Sequence, residues 1–144
     1  DALLIINDRL DLALAAGADG VHLGQDDLPA EAARRLWPSG LLGVSVRTPG
    51  EARAAERAGA DYLGTGALRS TSTKPDSRVI GLDGLRAVVE ATRLPVVAIG
   101  GIRPDDVPAV RQAGAVGVAV ASAVLQAPDV RGAAEAFLRA LASS

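Results

Sequence analysis

Thr48-Pro49-Gly50-Glu51-Ala52-Arg53-Ala54-Ala55-Glu56-Arg57-Ala58-Gly59-Ala60-Asp61-Tyr62-Leu63-Gly64 holds one complete helix-to-strand unit. Thr48 and Glu51 have the spacing of a capping box, with Pro49 at the first helical position, where its missing N–H is not needed. Helical spacing covers Glu51–Ala58. Gly59 then falls where a helix often ends in a left-handed residue. An apolar strand, Tyr62–Gly64, follows within about three residues. The joining phrase recurs as Ala16-Gly17-Ala18-Asp19 and Ala113-Gly114-Ala115-Val116. The chain therefore repeats one βα unit.

Outward from this unit the same alternation covers the whole sequence. Short apolar runs lie at Leu3–Ile6, Gly20–Leu23, Leu41–Val46, Tyr62–Gly64, Pro95–Ile99 and Gly117–Ala121. Each is apolar at nearly every position, as expected for parallel strands covered on both faces. Helical stretches fall at Leu10–Ala16, Ala30–Leu36, Glu51–Ala58, Leu82–Ala91, Asp105–Ala113 and Arg131–Ala142. Pro104 ahead of Asp105 and Asp106 marks a further helix start, with acids placed well against the macrodipole. No linker or low-complexity segment interrupts the repeat, so residues 1–144 read as a single α/β domain. Right-handed βα units build either an open doubly wound sheet or a (β/α)8 barrel, and six units suit the open sheet more naturally. In both, function collects at the carboxyl ends of the strands.

Composition bounds the rest. Apolar residues make up 49% and mean hydropathy is +0.24, enough for a core, while aromatics at 2% leave that core to Ala, Val, Leu and Ile. Charged residues at 22% and a net charge of −2 give no general attraction to nucleic acid or to an anionic membrane, although a local phosphate site is compatible with that total. Trp37, Tyr62 and Phe137 are scattered and form no stacking platform for nucleic acid. The absence of cysteine excludes disulfides, thiolate metal sites and a cysteine nucleophile. Apolar runs fall short of the ~18 residues of a membrane span, and no signal-peptide core is visible. A soluble, cytoplasmic protein is expected. The start on a strand-like run, without an initiating methionine, reads as a fragment.

The polar residues cluster after the strands. Gly64-Thr65-Gly66-Ala67-Leu68-Arg69-Ser70-Thr71-Ser72-Thr73-Lys74-Pro75-Asp76 follows the fourth run. Its hydroxyls and amides can surround an anion and its lysine can neutralise one; the alternative is a solvated loop tip. Asn7 and Asp8 follow the first run, and Gly24-Gln25-Asp26-Asp27 the second. Neighbouring parallel strands are ~4.8 Å apart, so carboxylates of Asp8 and of Asp26 or Asp27 could share one hard cation, Mg²⁺ on a substrate phosphate. The alternative makes Asp8 and Asp27 helix N-caps. His22 reads as a core histidine or a site residue, and Ser45 as a structural serine or a phosphate donor. Gly100-Gly101 in the fifth unit and Ala121-Ser122 in the sixth have the arrangement of a barrel phosphate site.

Taken in order and spacing, Ile5-Ile6-Asn7-Asp8-Arg9, Gly20 through Asp27, Gly43-Val44-Ser45, Thr71 through Asp76, Ala98 through Ile102 and Ala121-Ser122-Ala123 resemble thiamine-phosphate synthase, from the first residues to about Ala123. The resemblance implies a (β/α)8 TIM barrel, here an N-terminally truncated one with about six βα units. It implies a transferase that joins a pyrimidine methyl diphosphate to a thiazole phosphate, releasing pyrophosphate and forming thiamine phosphate. It also implies Mg²⁺ held by Asp8 and Asp27, and a pyrimidine diphosphate held by Asn7, Ser45 and Lys74, the last two being the catalytic pair. The thiazole phosphate falls to Thr71, Ser72, Thr73, Gly101, Ala121 and Ser122. The implied route is dissociative: diphosphate leaves, and the thiazole nitrogen traps the carbocation. Two features depart from the pattern. The first two strands, with their Gln-x-Arg-x-Lys element, are missing, and Arg69-Ser70 stands where Phe-Pro is usual. Little synthase activity is therefore expected of residues 1–144 alone, and the exposed sheet edges invite pairing with another chain. A thiazole tautomerase on the same barrel, or a non-catalytic module for phosphorylated ligands, are the other readings.

Overall fold

The repeat folds into an all-parallel sheet whose strand order is the order of the chain. The computed structural model describes residues 2–69 and 79–143. Strands β1 (Ile5–Asn7), β2 (Gly20–Leu23), β3 (Leu41–Val46), β4 (Tyr62–Thr65), β5 (Val96–Ile99) and β6 (Gly117–Ala119) pair only with their sequence neighbours, in the order β1-β2-β3-β4-β5-β6. A doubly wound sheet reverses its order at a switch point. This sheet does not, so the six strands form a half-barrel and the open-sheet alternative is overturned.

Helices α1 (Leu10–Ala15), α2 (Ala30–Leu36), α3 (Pro49–Arg57), α4 (Gly81–Glu90), α5 (Val107–Gln112), α6 (Ser122–Leu125) and α7 (Val130–Ala142) connect the strands or close the chain. A single 3₁₀ turn, Pro104–Asp106, leads into α5. The short α6 was not expected: the sixth strand stops at Ala119, short of the expected end at Ala121, and a helix starts at Ser122.

The recurring glycine phrase has one physical explanation in all three copies. Gly17, Gly59 and Gly114 have φ of +63°, +88° and +95°, a region that costs a side-chain-bearing residue but not glycine. Each is followed by an alanine whose N–H reaches back five residues: Ala18 to the Ala13 carbonyl at 3.0 Å, Ala60 to Ala55 at 3.1 Å, and Ala115 to Val110 at 3.3 Å. These are Schellman closures, and the residues at both ends of each bond are buried, so the hydrophobic contact that accompanies the motif is present as well. The two aspartates that follow serve the sheet. Asp19 Oδ2 accepts from the Leu4 N–H and Asp61 Oδ2 from the Leu42 N–H, both at 2.7 Å. Val116 in the third copy has no carboxylate and keeps only the backbone bond to the Val96 carbonyl.

At the start of α3, Thr48 Oγ1 accepts from the Glu51 N–H at 3.2 Å, which is half of the expected capping box. The Glu51 carboxylate reaches one residue further back, accepting from the Arg47 N–H at 2.6 Å. Burial alternates along the strands. Val21, Leu23, Leu42, Val44, Val46, Leu63, Val96 and Ala98 are buried under the helices, whereas His22, Ser45, Tyr62 and Val97, on alternate positions, are only partly covered. The expectation of two equally covered faces is thus corrected: one face is core and the other lines a concavity. No helix among the described residues is long and apolar enough to cross a membrane.

Candidate active site at the strand ends

A cavity of about 580 Å³ opens at the carboxyl ends of the strands. Asn7, Asp27, Ser45, Gly101, Ala121 and Ser122 all line it, although they come from five different βα units. Asp8 lies elsewhere, lining a groove between α1 and α2 with Leu14, Leu28 and Leu36. Thr71, Ser72, Thr73 and Lys74 lie outside the described residues.

Neither aspartate is a helix cap. The residue preceding α1 is Arg9 and that preceding α2 is Pro29, and neither aspartate side chain bonds a helix N-terminus. Asp8 turns the chain with φ of +69°, a conformation aspartate tolerates better than most residues, while its N–H donates to the His22 carbonyl at 2.8 Å. Asp27 folds its own loop, Oδ2 accepting from the Gly24 N–H at 2.6 Å. Gln25 ties that loop to the next strand through Nε2–H to the Ser45 carbonyl at 2.7 Å. Among the described residues no group of three His, Cys, Asp or Glu is close enough to hold a metal unaided.

The glycine pair after β5 has φ of +92° at Gly100 and +67° at Gly101. A Cβ on Gly100 would lie 2.8 Å from the Ala67 Cα, so only glycine admits this approach of two backbones. The Gly100 carbonyl accepts from the N–H groups of Leu68, at 3.1 Å, and Arg69, at 3.2 Å. On the far side of the segment 70–78, the Ile80 N–H donates to the Ala67 carbonyl at 2.9 Å. Both flanks of the hydroxyl-rich stretch are therefore fastened beside the glycine turn that lines the cavity. Arg69 adds an ion pair with Asp106. Burial opposes ionisation of Asp106, but the Arg69 guanidinium and the Arg103 N–H outweigh it and hold its carboxyl below the usual range. Arg69→Phe removes this pair. We expect it to cost at most about 1 kcal/mol in urea unfolding, because Arg69 itself is largely exposed.

Three polar side chains that sequence reasoning treated separately are linked. His22 Nε2 lies 2.8 Å from Ser45 Oγ, and His22 Nδ1 lies 3.0 Å from the Tyr62 hydroxyl. The strand register explains it, since His22 pairs with Gly43 and Gly43 with Tyr62. Burial pushes the Tyr62 phenol above its ordinary pKa. A Cβ on Gly43 would sit 2.2 Å from Tyr62 Cζ and 2.4 Å from His22 Nδ1. Gly43→Ala should therefore destabilise the fold by about 1–3 kcal/mol despite its better strand propensity. Unchanged or increased stability in urea would show that the two rings can move aside. The participation of Tyr62 was missed because the sequence shows no register, and Tyr62 appeared as one of three scattered aromatics. Arg47, which also lines the cavity, carries no motif that would have singled it out.

Comparison with known proteins places these residues in a family. A model of thiamine monophosphate synthase matches residues 1–124. The chain is 53% identical over 135 residues to the thiamine-phosphate synthase of Pyrococcus furiosus, covering 94% of this chain and 65% of that protein. It is 59% identical over 139 residues to a thiamine biosynthesis bifunctional protein, ThiM/ThiE, of Symbiobacterium thermophilum, of which it spans 29%. The chain thus spans less than two thirds of these relatives. A solved structure described as thiamine phosphate pyrophosphorylase from Pyrococcus furiosus superposes with a TM-score of 0.93 at 48% identity, covering 99% of this chain and 69% of that one.

Proposed function

Because the chain belongs to the thiamine monophosphate synthase family, we propose that it supplies the larger part of a transferase that couples 4-amino-2-methyl-5-(diphosphooxymethyl)pyrimidine to 4-methyl-5-(2-phosphoethyl)thiazole. The products are thiamine phosphate and pyrophosphate. One observation carries this reading: Asn7, Asp27, Ser45, Gly101, Ala121 and Ser122 line a single cavity. The half-barrel is then an arc of a (β/α)8 barrel in one domain, acting on small phosphorylated molecules and not on nucleic acid or membranes. Its end strands β1 and β6 would pair with further strands or another chain, and the cytoplasm is the proposed location.

In this reading Asn7 and Ser45 hold the pyrimidine diphosphate, with Lys74 as its counter-charge. Gly101, Ala121 and Ser122, with Thr71, Ser72 and Thr73, hold the thiazole phosphate. The chain's own work is to orient both substrates and to stabilise charge on the departing diphosphate. The C–O bond breaks with its electron pair leaving on pyrophosphate, and the thiazole nitrogen lone pair closes on the carbocation. No side-chain nucleophile is needed. Of the two carboxylates, Asp27 lines this cavity and Asp8 the groove between α1 and α2; Mg²⁺ would be held on the cavity side by Asp27 together with phosphate oxygens and water, and would neutralise diphosphate charge when bound.

The test uses residues 1–144 alone and a fusion that adds the portion of the Pyrococcus furiosus relative outside the match. Both are given the two substrates with Mg²⁺, and thiamine phosphate is followed by its thiochrome fluorescence. Product from the fusion and little from 1–144 alone is the expected result. A folded fusion that forms no thiamine phosphate would overturn the proposal.

A further inference from the structure

The contacts of His22 with Ser45 and Tyr62 carry information about proton positions. A neutral imidazole offers one donor and one acceptor, so the two hydrogen bonds must run in the same sense. Either the Tyr62 O–H donates to Nδ1 and Nε2–H donates to Ser45 Oγ, or both bonds are reversed. The reversed chain makes the phenol oxygen an acceptor and leaves the phenolic proton to find another partner. No partner besides His22 Nδ1 exists for that hydroxyl among the described residues. The forward chain pairs the more acidic hydroxyl with the better acceptor, an imidazole nitrogen, and gives Nε2–H to an aliphatic hydroxyl oxygen. The raised pKa of Tyr62 keeps its proton in place across neutral pH.

In the forward chain Ser45 Oγ accepts from His22, so its own hydrogen is left to point elsewhere. Both His22 and Ser45 line the cavity. We propose that Tyr62 and His22 are positioning residues that hold Ser45 as a hydrogen-bond donor toward an anionic oxygen bound in the cavity, so that Ser45 recognises negative charge and does not act as a base. The identity of that anion as a diphosphate rests on the coupling reading above; the direction of the chain does not. Gly43 supports it structurally, because any side chain there would displace both rings.

The sequence contains one histidine and one tyrosine, so spectra of both are unambiguous. In ¹⁵N-imidazole spectra of the chain at pH 8, above the ordinary imidazole pKa, the Nε2–H tautomer should dominate in the wild type. It should persist in Ser45→Ala and become mixed in Tyr62→Phe. A dominant Nδ1–H tautomer, or an even mixture in the wild type, overturns the proposal. The second measurement is calorimetric binding of pyrophosphate with Mg²⁺ to the fusion. Tyr62→Phe should weaken it about 3- to 10-fold, and His22→Leu by about 10-fold, while His22→Gln, which restores an N–H near Nε2, should recover most of the loss. Equal affinities in the wild type and all three variants overturn it. A wild-type fusion that binds no pyrophosphate defeats the coupling reading, and the tautomer then decides the relay by itself.

Discussion

Lys74→Ala in the fusion is expected to lower thiamine phosphate formation by about 10²- to 10³-fold, the loss typical when one charge-stabilising donor is removed from a transition state. The choice of residue is informative. The sequence holds 15 Lys and Arg together, and Lys74 is its sole lysine. Elsewhere the chain uses arginine for its ion pairs, including Arg34 with Asp61 and Arg69 with Asp106. A lysine presents a compact charge with three rotatable donors, which suits a diphosphate whose geometry changes as the C–O bond lengthens; an arginine fork fixes a planar pair. Lys74→Arg should accordingly recover only part of the rate. The effect belongs in kcat and kcat/KM together, because charge on the leaving group grows in the transition state. Melting temperature and circular dichroism serve as controls for folding. Activity of Lys74→Ala within about threefold of wild type would remove this lysine from the proposed mechanism, whereas its unchanged ability to isomerise a thiazole would point to the tautomerase.

Arg34→Met is expected to be strongly destabilising for a partly exposed side chain, at about 2–4 kcal/mol. The Arg34 side chain is 22% exposed, and its guanidinium joins three segments. Nη1–H donates to the carbonyls of Trp37 at 3.2 Å, Pro38 at 3.0 Å and Gly40 at 2.7 Å, fixing the turn between α2 and β3. Nε and Nη2 donate to the Gly59 carbonyl at 3.0 and 2.9 Å, satisfying the end of α3. Nη2 also meets Asp61 Oδ2 at 2.6 Å, the oxygen that accepts from the Leu42 N–H. Methionine keeps the apolar stem and deletes every donor. The partial exposure of Asp61 lets water replace some of the loss, which sets the estimate below that of a fully buried pair. Roughly 2–4 °C of melting temperature per kcal/mol gives a drop of about 4–16 °C. Arg34→Lys should recover less than half, since one ammonium cannot serve carbonyls on both sides. A loss below about 1 kcal/mol for the methionine variant would show that water satisfies these carbonyls equally well.

These two residues also mark how far local pattern reaches. Lys74 was singled out in the sequence because hydroxyls, glycines and a lysine crowd into one polar stretch directly after an apolar run, although that stretch lies outside the described residues. Arg34 was not, because nothing near Glu31–Leu36 distinguishes it from Arg35, which makes only an exposed pair with Glu31. The difference arises from which helix face meets the turn before β3. Asp8 and Asp27 show the same limit. Their residue type and position after adjacent strands were visible, but the left-handed turn at Asp8 and the Asp27 carboxylate folded back onto the Gly24 N–H, neither visible in the sequence, accompany their lining of different concavities.

The sequence by itself determined the periodic part of this protein. Glycines at helix ends admit a left-handed turn that other residues resist, and apolar runs leave few alternatives to a buried strand, so the units were readable one at a time. The tertiary structure decided what depends on neighbours: the sequential strand order, the face left open, and the register that sets His22, Gly43 and Tyr62 in one row. Strand pairing is set by contacts between residues some 20 positions apart, and local sequence does not record them.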